Sequence, residues 1–239
     1  LLYPASNGYN SYFDKDEKSI GGLKNPPPVK KGLYALALTL DFLAIGLSYI
    51  KINTTVALMV FLYGLVSKAY SHPAIRLKKY AWSSWIITGL FQGLFTFAMC
   101  YVGVNDFLLS AVFRPEVWVP GLLTSCMLWA NYPLTQVYQH EEDIKRGDFT
   151  LSAKLGIVGT FYFAACMFTF AVGGFLFYFK FVFDDLYAWA FLLALLPMLA
   201  YFFYWFFLIL RNRGNADYSH TMRLNFIAGT FLNTYFLYL

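Results

Sequence analysis

The chain has 239 residues, of which 59% are hydrophobic, 21% aromatic and only 13% charged, and its formal net charge is +5. An average soluble domain carries about 25% charged residues. That deficit, with a mean hydropathy of +0.53, excludes an ordinary soluble domain. It reads as one integral membrane domain over residues 1–239, for which no nucleic-acid partner is expected.

Taken in order, Leu1-Leu-Tyr-Pro4 reads as the tail of a helix already under way. Residues 7–32 are polar and contain Pro26, Pro27 and Pro28, which lack the N–H groups a helix interior needs. They form a loop. Apolar runs follow at Leu33–Ile50, Thr54–Ser67, Trp82–Val102, Val117–Tyr138, Leu155–Phe179, Leu186–Leu210 and Leu224–Leu239. A helix needs about 20 residues to cross the hydrocarbon core. The pattern therefore predicts an all-α, polytopic helical bundle with seven spans after the end of a preceding helix. Cys100, Cys126 and Cys166 lie in apolar runs without metal spacing and read as small buried apolar residues.

Alternating crossings place 15 of the 18 bases on one side, leaving Lys51, Arg114 and Lys180 opposite. The positive-inside rule makes the crowded side cytoplasmic. Both acidic clusters fall on that same side. The first is Asn10-Ser-Tyr-Phe-Asp14-Lys-Asp16-Glu17-Lys18; the second is Gln139-His-Glu-Glu-Asp143-Ile-Lys-Arg146.

On a helix, Asn10, Asp14 and Lys18 share one face, as do Gln139 and Asp143, with Glu142 beside them. Either cluster alone reads as a solvated helix end. Two of them at one membrane face, both beside bases, suit a divalent ion that bridges phosphate oxygens. Mg²⁺ favours one or two carboxylates plus substrate phosphates. Asn10, Asp14, Gln139, Glu142 and Asp143 are the candidate metal ligands. Lys18, Arg76, Lys78, Lys145 and Arg146 are candidates for the phosphate charge. Asp41, in mid-span, has either a structural hydrogen-bonding role or a pocket role. His140 reads as a solvated loop residue, Asp148 or Thr150 as a helix cap, and His72 and His220 as loop residues.

Asn10-x-x-x-Asp14, and Gln139 to Asp143 followed by Arg146-Gly147-Asp-Phe-Thr150-Leu and Leu155-Gly156, together with Tyr70-Ser-His-Pro73-Ala-Ile-Arg76-Leu-Lys78, resemble the UbiA superfamily of intramembrane prenyltransferases. The resemblance covers the chain in order and spacing. It implies Mg²⁺-dependent transfer of a prenyl group from a prenyl diphosphate to a lipophilic aromatic, quinone-precursor-like acceptor within membrane lipid. Asp14 and Asp143 would be its catalytic carboxylates. It also implies that a helix and most of a second precede Leu1. Lys18 and Gln139 stand where the family has Asp. On one reading, Lys18 replaces a metal as a point charge on the diphosphate. On another, Asp16, Glu17, Glu141 and Glu142 restore the charge through unwound helix ends. Isoprenoid binding without turnover and ion transport are the alternative functions.

Overall fold

The computed structural model describes residues Leu1–Leu239 and is all-α. Helix α1 is Leu2–Asp14, α2 Gly32–Lys51 and α3 Thr54–Ser71. Helix α4 (Ala81–Gly89) runs through a π-helical stretch, Leu90–Phe95, into α5 (Thr96–Asn105). Helix α6 (Pro115–Asn131) tightens into a 3₁₀ turn at Tyr132–Gln136, where Pro133 falls at its start. The short α7 is His140–Arg146; α8 (Leu151–Val182), α9 (Asp185–Arg211) and α10 (Tyr218–Tyr238) complete the chain.

Five segments are long and apolar enough to cross a membrane: Gly32–Lys51, Thr54–Ser71, Ala81–Asn105, Leu151–Val182 and Asp185–Arg211. The 17-residue α6 and the less apolar α10 are not among them. The turn between α2 and α3 is tight, and the Asn53 side chain accepts a hydrogen bond from the Val56 N–H.

Two apolar clusters organise the bundle. One joins α6, α8, α9 and α10 around Phe161, Phe191, Phe202 and Trp205. The other joins α2, α3, α5 and α6 around Val56, Met59, Val102 and Val117. Helix α6 contributes to both. Helix α1 packs on α2 and α3 at the side where the acidic segments lie.

The crossing of α6 over the π-helical stretch is close. A Cβ at Gly93 would fall 2.6 Å from the Ser125 Cα, so only glycine allows this approach. Ser125, fully buried, accepts a 2.8 Å hydrogen bond from the Leu94 N–H. The side chain thereby serves a donor in the irregular part of the ladder, which no water reaches in lipid.

Three sequence expectations need correction. Cys100 and Cys166 are exposed and Cys126 half-buried, because their helices turn those faces away from the protein core. Lys68 belongs to the last turn of α3, not to a loop, and pairs with Asp41 of α2. This ion pair fixes the structural role of Asp41: neither residue lines the principal cavities. His220 sits in α10, where its ring accepts from or donates to the Tyr201 hydroxyl at 2.8 Å and stacks on Trp205.

Gly93→Ala should destabilise the fold by about 1–3 kcal/mol through overpacking, and Ser125→Ala by about 1–3 kcal/mol by stranding the Leu94 N–H. Thermal melts of the detergent-solubilised protein measure both; unchanged melting temperatures would contradict this packing.

Candidate functional site

Helix α1 stops at Asp14 because Lys15 takes left-handed backbone angles (φ 50°). Beyond that point the chain no longer follows the helix face, and Asp16 turns inward while Lys18 swings out. Across from it, α7 ends at Gly147 (φ 76°), a conformation suited to glycine. That reversal delivers Asp148 to the same space. The loop after α3 adds Arg76 and, in a 3₁₀ turn, Lys78.

These segments surround a cavity of about 1030 Å³ lined by Asn10, Asp14, Asp16, Lys78, Gln136, Gln139, Asp143, Arg146 and Asp148. Part of its wall is the α1–α2 loop, including Pro26–Pro28 and Lys30. Four carboxylates and three bases, Lys30, Lys78 and Arg146, thus share one cavity.

Apart from Lys30, the charges are paired. Lys78 bonds to Asp14 and, at 3.2 Å, to Asn10 Oδ1, which also accepts from Ser71 at 2.7 Å. Arg146 bonds to Asp16 and, at 2.9 Å, to Asp143. Arg76 grips Asp148 with two hydrogen bonds of 2.8 and 2.7 Å and lies 3.7 Å from Asp14. Such forked pairs fix geometry as well as charge. Burial pushes the Asp143 carboxyl up to about 6, against the opposing pull of Arg146. The Arg76 guanidinium is held above its usual range, chiefly by its hydrogen bonds to Asp148.

The two site-bearing loops are joined by backbone. The Phe149 N–H donates to the Lys79 carbonyl at 3.3 Å, and Tyr80 and Phe149 form a parallel bridge. Thr150 caps α8 by accepting from the Ala153 N–H, as expected of it.

Of the sequence candidates, Asn10, Asp14, Lys78, Gln139, Asp143 and Arg146 line the cavity. Arg76 does not; it braces Asp148 and Asp14 from behind. Lys18 and Lys145 both pair with Glu141 at 2.8 Å on the exposed rim, outside the cavity. The early end of α1 is the reason for Lys18, and the outward face of α7 for Lys145. Glu142 also falls outside the lining, where it accepts from the Glu17 N–H at 3.1 Å. Gln139 reaches the cavity wall and donates to the Ser19 carbonyl at 3.2 Å. His140 is half-buried, not solvated: its ring shares a 2.7 Å hydrogen bond with Ser152, and burial lowers its pKa.

Asp16, Asp148 and Gln136 also line the cavity, though none of them is among the candidate ligands of metal or phosphate. Asp16 was reachable only through the unwound helix end. Asp148 was visible as a cap, its cavity role hidden in the Gly147 reversal. Gln136 had no signal, since the 3₁₀ turn that aims it is not a periodic feature.

No three His, Cys, Asp or Glu side chains converge closely enough to hold an ion by themselves. The ligand atoms lining the cavity are oxygens of amides, hydroxyls and carboxylates, with no His or Cys among them. That chemistry fits Mg²⁺ held jointly with phosphate oxygens rather than in an all-protein cage.

A family model described as the UbiA prenyltransferase family matches residues 1–227. No curated protein and no solved structure matches the chain.

Asp16→Ala leaves the largely buried Arg146 without one partner and should cost about 3 kcal/mol, whereas Lys18→Ala should leave the melting temperature unchanged. Thermal melts of both variants test the inward turn at Lys15; the reverse ranking would restore the uninterrupted helix face.

Proposed function

The chain belongs to the UbiA prenyltransferase family, and on that premise we propose that it transfers a prenyl group from a prenyl diphosphate to a lipophilic aromatic acceptor of the quinone-precursor kind. The observation that carries this reading is the single cavity in which carboxylates from α1 and α7 alternate with Lys78 and Arg146. Such a constellation recognises a polyanion together with a divalent cation.

In the proposed reaction the allylic C–O bond breaks and its electron pair leaves with the diphosphate. An electron-rich ring carbon of the acceptor bonds to the allylic cation, and the ring then loses a proton. Lys78 and Arg146 hold diphosphate oxygens as negative charge develops on them. Asn10, Asp14 and Asp143 would hold Mg²⁺, which supplies Lewis-acid stabilisation of the leaving group. Arg76 keeps Asp148 and Asp14 in place. The α1–α2 loop, stiffened by Pro26–Pro28, covers the cavity and limits water, which would otherwise consume the cation.

The same reading extends to the topology. Helices α6 and α10 complete a set of seven crossings, α6 being prolonged by its 3₁₀ turn. The charged mouth faces the cytoplasm, in line with 15 of 18 bases on that side. Lys18 and Lys145, at the rim, attract the diphosphate on approach rather than bind it during reaction.

The test is Mg²⁺-dependent incorporation of a labelled prenyl diphosphate into a lipophilic product by the membrane-embedded protein. Asp14→Ala and Asp143→Ala should each lower turnover by roughly 10²- to 10³-fold, the scale of losing one electrostatic stabiliser. Unchanged turnover would remove these residues from the site. Retained diphosphate binding with no product across a broad acceptor panel would instead identify an isoprenoid-binding protein without turnover.

A further inference from the structure

Beside the charged cavity lies a second, smaller chamber of about 220 Å³ between α1, α3 and α4. The two share Asn7, Asn10, Tyr70 and Tyr132, so they meet edge to edge. The Tyr70 and Tyr132 hydroxyls are hydrogen-bonded to each other at this junction.

The chamber is polar but contains no Asp, Glu, Lys, Arg or His. Its polar wall is built from Ser6, Ser67, Ser71, Thr88 and Gln92 beside the two shared asparagines. Tyr63 and Phe91 supply aromatic surface. A cavity of about 150 Å³ suffices for a benzene molecule. This one therefore takes a single substituted ring, and its row of hydroxyls and amides is wasted on a hydrocarbon chain.

We propose that the acceptor of this protein enters the chamber as an uncharged ring, a phenol or quinol without a carboxylate. The inference rests on the prenyl-transfer reading and specifies its acceptor. A carboxylate taken from water into such a chamber needs a cation, and no base lines it. Lys78 is held by Asp14, and Lys68 by Asp41. Neutral hydroxyls, by contrast, meet donors and acceptors that need no counter-charge.

A second observation points the same way. Gln136, with only 6% of its surface exposed, lines the charged cavity one turn beyond Tyr132. Its Oε1 is buried and has no hydrogen-bond partner. A buried acceptor of this kind is costly to leave unmet. A phenolic O–H lying across the junction satisfies it; a carboxylate oxygen there repels it.

The experiment compares 1,4-dihydroxybenzene with 2,5-dihydroxybenzoate, which differ by one carboxylate. Binding of each ring to the full chain is measured by tryptophan fluorescence without diphosphate, and turnover with labelled prenyl diphosphate and Mg²⁺. The neutral ring should bind at least ~100-fold more tightly, the scale on which a polar site rejects a mismatched group. Thr88→Lys, or Gln92→Lys should the first variant fail to fold, should shift the preference towards the carboxylated ring. Thr88→Val should raise the acceptor KM with the prenyl diphosphate KM unchanged. Equal or reversed binding of the two rings, no binding of either, or an unmoved preference in a folded lysine variant would overturn the proposal. Ring binding with the expected preference but without any prenyl transfer would support the chamber and sink the prenyl-transfer reading instead.

Discussion

Buried charge must be matched by buried counter-charge, and the architecture of this protein follows from meeting that requirement at one end of a lipid-embedded bundle. An unpaired ion in the interior is far more costly than a pair. Arg146 bridges Asp16, from the unwound end of α1, to Asp143 within α7. Arg76 bridges the α3–α4 loop to Asp148, and Lys78 ties the same loop to Asp14. Segments far apart in sequence are thereby held around one cavity. A pairing that holds the empty cavity together is also one that a polyanion can replace, since phosphate oxygens offer the bases equivalent partners.

The interior divides its labour by charge. The mouth is ionic; the chamber beneath it is polar and neutral. Between them stands the Tyr70–Tyr132 pair. A reaction that separates an anion from a cation would gain from this layout, with bases on one side and the rings of Tyr63 and Phe91 on the other. The ion pair of Asp41 and Lys68, by contrast, is self-contained, and it joins α2 to α3 without opening onto either space.

Much of this was legible in the residues. Apolar runs marked the long helices. Helical spacing brought out Asp14 and Asp143, and neighbouring charge and the family resemblance brought out Lys78 and Arg146; all four line the one cavity. What stayed hidden depended on departures from that rule. Lys18 belongs with Asn10 and Asp14 on an ideal helix; the left-handed Lys15 takes it away and substitutes Asp16. Lys68 looked like a loop base because α3 was expected to end early. The π-helical stretch and its Ser125 partner leave no compositional trace, since a side chain from another helix makes it tolerable. Gln136 owes its aim to a 3₁₀ turn that Pro133 induces.

The hydrogen bond from Phe149 to the Lys79 carbonyl couples two loops that otherwise meet only through side chains. It converts them into one mechanical body. A residue inserted on either side of the bridge would shift its register and move Lys78 and Arg76 relative to Asp148 in a single step. Loop length is therefore under tighter constraint here than loop composition. Exchange of individual exposed residues such as Pro73 or Ala74 leaves the register intact, whereas a single deletion would separate the cation-bearing loop from its acidic counterpart.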